Sequence, residues 1–312
     1  MKTATFTAMG SRIFIAVDTD DQSIFSEALK AQQWFEEWEQ VLSRFRFSSE
    51  LSEINRHPGT AIGVSDTLAE VLLAARNAER LSEGLVTPTM LNALTLAGYD
   101  EDFESLLNRS AAEFKLALTT PVKPGKVDFD EHNQTLTLPF GTALDFGGIA
   151  KGWAAHQTML RLSDYAPVLV DAGGDIAVSG LMQDGGQWPI GVANPFNQDN
   201  NLALLMLPAG GVATSGKDYH RWLFNGEMQH HIIDPRSLRP AATDVLTITV
   251  LAADVMAAET YAKAALIQGS EAGVAWLEQL KGIGYLLVLE DGSVIKNQVF
   301  YEKEWKPECQ TN

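Results

Sequence analysis

Cysteine is almost absent from this chain of 312 residues; the only one is Cys309. No disulfide can form within the chain, which fits a reducing compartment. Positive charge is scarce as well. Lysine and arginine together number 23 against 40 acidic residues, a net charge of −17 and a pI near 4.7. That balance argues against nucleic acid or an anionic membrane as partner. It also means that any anionic ligand must be held by local positive charge, because the overall field repels it. Long apolar runs are missing too. Nothing approaches a membrane span, and Met1 to Gly10 has no continuous apolar core of signal-peptide length. A cytoplasmic protein is expected. What is present, 46% apolar and 20% charged residues, describes a globular chain with a full core, in one large or two intimately joined domains.

The most informative stretch runs from Ala143 to Ala155: Ala-Leu-Asp-Phe-Gly-Gly-Ile-Ala-Lys-Gly-Trp-Ala-Ala. A short apolar lead-in ends at Asp145, glycines 147 and 148 follow, and Ile149, Trp153, Met159 and Leu160 recur at helical spacing to about Leu162. Strand, glycine turn and helix start aim unpaired backbone N–H groups and the positive end of the helix dipole at one place. Gly147 and Gly148 permit torsions and close approach that side chains would block, and Lys151 in the first turn adds a full charge. This is a candidate phosphate site; the alternative is an ordinary β-to-α connection with a surface lysine. Asp145-Phe146-Gly147 spells the kinase metal triplet, but no His-Arg-Asp loop precedes it. Neither G-x-G-x-x-G nor G-x-x-x-x-G-K-[ST] is present, so the two common nucleotide folds are not the host.

Taken in order, residues 3–7 and 13–17 pattern as strands joined through Met9-Gly10-Ser11. One long amphipathic helix is expected from Gln22 to about Leu42, capped by Asp20 or Asp21, with Phe25, Leu29, Phe35, Trp38 and Leu42 near one stripe. Ser43-Arg44-Phe45-Arg46-Phe47 suggests a short extended piece with one apolar and one basic face, either a solvated loop or a ligand contact. A second helix spans Thr67 to about Ser82, capped by Ser65 and stopped by Gly84. Residues 99–126 are the least patterned. Val127–Phe129 and Thr135–Leu138 read as a hairpin. Beyond the central stretch come a strand at Pro167–Val170, a hairpin of Ile176–Ser179 with Trp188–Val192, and a strand at Leu202–Leu207. Val212 to Lys217 reads as a small-residue loop in which Ser215 and Lys217 are candidate phosphate ligands. Arg221–Phe224 and Met228–Ile233 form a hairpin across Asn225-Gly226. A strand at Thr243–Leu251, helices from Asp254 to Ile267 and Ser270 to Leu280, and a hairpin of Tyr285–Leu289 with Val294–Lys296 complete the pattern. Strands grouped between helices make the class α+β, and the polar tail, 302–312, is expected to fray.

Four motifs in this order, Asp145-Phe-Gly-Gly-Ile-Ala-Lys-Gly, Ala172-Gly-Gly-Asp-Ile, Ala213-Thr-Ser-Gly and His231-Ile-Ile-Asp-Pro-Arg, resemble the ApbE family of FAD:protein FMN transferases. Met9-Gly10-Ser11, Ser43-Arg44-Phe45 and Ser49 to Asn55 look like the same family's N-terminal part, so the resemblance covers nearly the whole chain. It implies a bilobed fold of mixed or antiparallel sheets with flanking helices. The halves would be roughly 1–140 and 141–300, forming a single unit with FAD in the cleft between them. The implied activity is cleavage of the FAD pyrophosphate and transfer of FMN to a threonine or serine hydroxyl of a partner protein. By resemblance, Gly147, Gly148 and Lys151 cradle phosphate. Met9, Arg44, Phe45, Asn55, Thr87 and Pro88 lie near the flavin and ribose, and His231 with Ile232 stands beside the pyrophosphate. The residues themselves agree: phosphoryl transfer is mostly positioning and charge stabilisation, for which Lys151 and Lys217 bring cations and His231 a base. Asp175 and Asp234 are either site groups or turn-stabilising carboxylates, and Asp145 fixes the loop.

One departure stands out. Where the family carries an aspartate and, four residues on, a threonine that bind Mg²⁺ with help from a carbonyl at the position of Ala150, this chain has Glu259 and Lys263. A protonated lysine has no lone pair to give a cation. Spacing i,i+4 suits a salt bridge, and Lys263 itself becomes a candidate contact for the pyrophosphate. Two other outcomes follow from the altered pair: an FAD-binding protein without chemistry, or an FAD pyrophosphatase with water as acceptor.

Overall fold

The computed structural model describes residues 1–108, 123–224 and 226–306. Its frame is an eight-stranded sheet in the spatial order Lys2–Ala8, Ser11–Val17, Val168–Ala172, Asp175–Val178, Gly210–Gly216, Val245–Ala252, Gly284–Leu289, Val294–Lys296. Every neighbouring pair is antiparallel. Residues 18–167, with most of the helices, leave the sheet after its second strand and return at its third.

Alternation along the strands builds two cores, because successive side chains face opposite sides of a sheet. Ile13, Ile15, Val17, Val168 and Val170 pack against the helices Ala31–Leu42, Asp66–Leu81 and Ala150–Ser163. Ala213, Ile248 and Val250 pack under the helical stretch Val255–Leu277. On the other face, Ala16, Leu169, Val178, Val212 and Leu251 meet Trp188, Ile190, Val192 and Leu205 of a long hairpin, Trp188–Asn194 with Asn197–Leu207. The chain is therefore three layers deep: helices, sheet, hairpin.

Several expectations require correction. The helix expected from Gln22 to Leu42 is two, Gln22–Leu29 and Ala31–Leu42. The Lys30 amide bonds back three residues to the Glu27 carbonyl, tightening the turn, and the break leaves Leu29 exposed while Phe35, Trp38 and Leu42 are buried. Residues 43–47 are not extended but a turn, and the faces are inverted: Phe45 and Phe47 are exposed, while the Arg44 side chain is only 6% exposed. Ala143–Asp145 forms no strand. Asp175–Val178 pairs not with Trp188–Asn194 but with Val168–Ala172, across Gly173-Gly174. Both glycines have positive φ, +70 and +96, which a two-residue hairpin turn demands. The supposed loop at 212–217 is mostly a central strand, Gly210–Gly216, its small residues fitting between sheet and helix. Ala61–Gly63 adds an unforeseen third strand beside the Asp128–Asp130 and Thr135–Thr137 hairpin. Asn225, half of the unpatterned segment (109–122) and most of the polar tail (307–312) lie outside the described residues. Among the described residues no helix is long and apolar enough to cross a membrane.

Candidate functional site

The Leu144–Lys151 segment is braced from three sides by residues of the N-terminal part. Asn55 uses both ends of its amide on Leu144, donating to its carbonyl at 2.8 Å and accepting from its amide at 2.7 Å. The Pro88 carbonyl accepts from the Asp145 amide at 2.7 Å. Arg44 Nε lies 2.7 Å from Asp145 Oδ2, and Asp145 Oδ1 accepts from the Gly147 amide at 3.0 Å. Asp145 thus fixes the loop. The Arg44 guanidinium is held between the rings of Phe45 and Tyr99, 4.1 and 4.5 Å from their centroids, and donates through Nη1 to the Tyr99 carbonyl at 2.9 Å. Its Nη2 is buried and has no hydrogen-bond partner among the described residues. Tyr99 stacks on Trp222 at 5.1 Å, extending the aromatic wall. Thr87 is tied to Glu79 and Thr89, and the Met9 amide donates to Glu39 Oε2 at 3.2 Å.

At the helix start, Ala150–Ser163, the N-cap residue Ile149 makes no side-chain cap; the Ala150 amide bonds to the Phe146 carbonyl at 2.8 Å and the Gly152 amide to the Glu259 carboxylate, which leaves the Lys151 amide as the first-turn donor for an anion. Lys151 Nζ donates to Asp175 Oδ2 at 2.6 Å; the Asp175 side chain is 3% exposed and that of Lys151 26%. Burial alone would lower the Lys151 pKa, but the Asp175, Glu259 and Asp171 carboxylates raise it above its ordinary value. The Gly173 turn packs against Ser11 and reaches the Lys151 stem. Asp171 accepts from the Gly174 amide at 2.7 Å and is itself pushed up, by burial first and Asp175 next. From the neighbouring helix, Lys263 Nζ donates to the Gly148 carbonyl at 2.7 Å and sits 3.7 Å from Glu259 Oε1. Neither Gly147 nor Gly148 has a positive φ; Gly148 gives room for close approach, since a Cβ there would lie 1.9 Å from the Lys263 ammonium and displace the end of that side chain.

Three histidines come together beside these cations. His231 Nδ1 is buried without a hydrogen-bond partner among the described residues. Burial, aided by nearby His220, Lys263, His230 and Lys151, holds its pKa well below the usual value, so the ring is neutral at neutral pH and keeps one nitrogen lone pair free of a proton. His220, which the sequence patterns did not single out, packs edge-on to it at 5.0 Å and is backed by Phe103 at 4.3 Å. Burial, with Lys151 nearby, lowers the His220 pKa also. His230 is structural: Nδ1 accepts from the Ile232 amide at 3.3 Å and Nε2 meets the Ala241 carbonyl at 3.2 Å. Ile232 is a core residue.

Not every candidate reaches this cluster. Lys217 turns to the Thr243 carbonyl and to Glu290, 2.7 Å away. Ser215 is buried within its strand opposite Ile248. Asp234 accepts from Arg236 in a local ion pair at 2.9 Å, a turn-stabilising role.

The place that the resemblance gives to Mg²⁺ does not suit a cation here. Among the described residues no group of three or more His, Cys, Asp or Glu could hold a metal. At position 263 stands an ammonium, bonded to the Gly148 carbonyl, rather than an oxygen donor, and buried Glu259, whose pKa is pushed up by burial and then by Asp175, already lies in the fields of Lys263 and Lys151.

Fold and site together define an α+β protein in which a glycine-led helix start, two lysines and a neutral histidine come together beside an antiparallel sheet. The chain belongs to the ApbE family, whose model matches residues 9–287. The FAD:protein FMN transferase of Klebsiella pneumoniae (strain 342) is 27% identical, over 92% of this chain and 89% of that protein. The protein of the same name from Treponema pallidum (strain Nichols) is 30% identical, over 82% and 75%. The crystal structure of the ApbE protein from Thermotoga maritima superposes with a TM-score of 0.80 at 27% identity, covering 98% of this chain and 99% of that one.

Proposed function

We propose that this chain is an FAD:protein FMN transferase. The observation that carries the reading is the meeting of His231, neutral and with Nδ1 unpartnered, with Lys151, Lys263 and the helix start. In the proposed reaction the Lys151 amide and the two ammonium groups hold the diphosphate, while Arg44 offers its spare Nη2 to a flavin carbonyl over the Phe45–Tyr99–Trp222 wall. An acceptor threonine or serine hydroxyl attacks the FMN phosphorus; its proton passes to His231. The bond from that phosphorus to the bridging oxygen breaks, and the electron pair leaves with AMP. The fixed cations and the Lys151 amide stabilise the charge that develops on the phosphoryl oxygens. No step is routed through a metal.

The test is to incubate the pure protein with FAD and a panel of threonine- and serine-containing peptides, following AMP release and the mass of the peptides. The expected result is peptide carrying FMN with equimolar AMP, lost in His231→Asn. AMP and free FMN without any adduct would mean that water is the acceptor, and no AMP at all would leave a binding protein; either result overturns the reading.

A further inference from the structure

The loop entering the helix Ala150–Ser163, with that helix's first turn, interlocks with Val255–Leu277 through two residues on each side, both at spacing four. Gly148 faces Lys263 and Gly152 faces Glu259: Cβ atoms there would lie 1.9 Å from Lys263 Nζ and 2.5 Å from Glu259 Oε2. The absence of two side chains therefore lets a charged pair reach the base of the phosphate loop. The Lys263 ammonium uses one donor on the Gly148 carbonyl at 2.7 Å, and its ion pair with Glu259, at 3.7 Å, is too long for a hydrogen bond. An ammonium has three donors, so capacity remains for a ligand oxygen. Lys151, by contrast, is drawn to Asp175 at 2.6 Å, which leaves Lys263 the less committed of the two cations.

We propose that the Lys263 ammonium is a built-in, diphosphate-contacting cation standing where the metal of this family would bind, so that the chain holds FAD without a divalent ion. Three features carry this. Lysine can neither ligate a metal nor share its space with one while protonated. Glu259, the nearest carboxylate, is already within the fields of both lysines, so a divalent ion beside it would meet repulsion from two ammonium groups. And in a chain of net charge −17, a fixed cation supplies the local positive charge that an anionic ligand needs. Lysine acts on phosphate as a point charge, so the site keeps binding while losing the bridging Lewis acid.

The inference rests on FAD being the ligand, and the experiment separates the two. FAD binding is followed by flavin fluorescence in excess Mg²⁺ and in excess EDTA, and Mn²⁺ binding to the ligand-free protein by electron paramagnetic resonance. The expected results are an FAD dissociation constant unchanged within about twofold by the chelator, and no protein-bound Mn²⁺. Lys263→Met should weaken FAD and ADP binding by about 10- to 150-fold, the worth of a charge-assisted hydrogen bond, with riboflavin binding unmoved and Lys263→Arg recovering most of the loss. Lys263→Thr with Glu259→Asp should acquire Mn²⁺. FAD binding that requires Mg²⁺, or Mn²⁺ bound by the unmodified protein, overturns the inference; these arms need no variant to fold. A protein that binds ADP but not FAD, in EDTA and in Mg²⁺ alike, overturns the flavin reading instead.

Discussion

Lys151 is the residue whose removal separates binding from stability most sharply. Its ammonium is the only partner that the described structure gives the Asp175 side chain, which is 3% exposed. Replacing Lys151 by methionine leaves that carboxylate buried and uncompensated. Breaking a fully buried pair costs about 3–5 kcal/mol; with the lysine 26% exposed, water can partly follow the carboxylate, and about 2–3 kcal/mol is expected. Near the midpoint, unfolding entropy runs at about 2.1 cal/mol/K per residue, or roughly 0.65 kcal/mol/K for a chain of this size. Lys151→Met should therefore lower Tm by about 3–5 °C in a slow calorimetric scan without ligand. Adding Asp175→Asn removes the stranded charge, and the double variant should regain most of the loss. FAD binding should stay about 10- to 150-fold weaker in both, because the cation is gone from both. A double variant no more stable than Lys151→Met would show that Asp175 does not depend on Lys151, and undiminished FAD binding would remove Lys151 from the site.

FAD should bind more tightly than FMN, which lacks the second phosphate and the adenosine; equal affinities in a fluorescence titration would contradict the assignment of the helix start to the diphosphate. Gly152→Ala should lower Tm although alanine is the better helix former by about 1 kcal/mol, because its Cβ would press on Glu259 Oε2; a raised Tm would refute the interlock. His230 is held to a pKa of about 4, mainly by burial. A depressed histidine adds stability that is fully present above its unfolded pKa of about 6.5 and is lost as pH falls towards the folded value. Urea unfolding between pH 7 and 4 should therefore show a shallower acid loss in His230→Asn, and an unchanged slope would count against a neutral, buried ring.

Where the sequence was legible, a local physical rule was decisive. The Asp21, Ser65 and Asp254 caps, the stop at Gly84 and the kink at Gly269 sit where capping and glycine chemistry put them. The Met9–Gly10 hairpin and the loop–helix start were equally readable. What failed involves partners distant in the chain. Asp175–Val178 alternates as well with one neighbour as with another, and only the two-glycine turn before it specifies Val168–Ala172. The segment at Arg44 could be either a solvated loop or a ligand contact, because the acceptor of Arg44, Asp145, lies a hundred residues on. Lys217 follows a strand that looked like a loop, so its direction toward Glu290 was hidden. His220 had a signal that went unused. The register pairs Phe224 with Glu227 and Arg221 with His230; continued by one step, it puts 220 opposite 231.

The distribution of charge explains why this site is built as it is. A strongly acidic chain that must hold an acidic ligand cannot rely on its surface field, so the positive charge has to be placed, and a buried ammonium must be compensated. Lys151 is compensated by Asp175 and Lys263 by the Gly148 carbonyl and Glu259. With Asp171 nearby, two cations then share a small volume with three carboxylates, more negative charge than the cations neutralise. Burial acts against that excess: Glu259 and Asp171 both have their pKa values raised, burial being the first cause in each. In that arrangement a change at position 263 is not an isolated surface event. It alters the cation that reaches the Gly148 carbonyl, and any residue placed there must fit the gap that Gly148 leaves open.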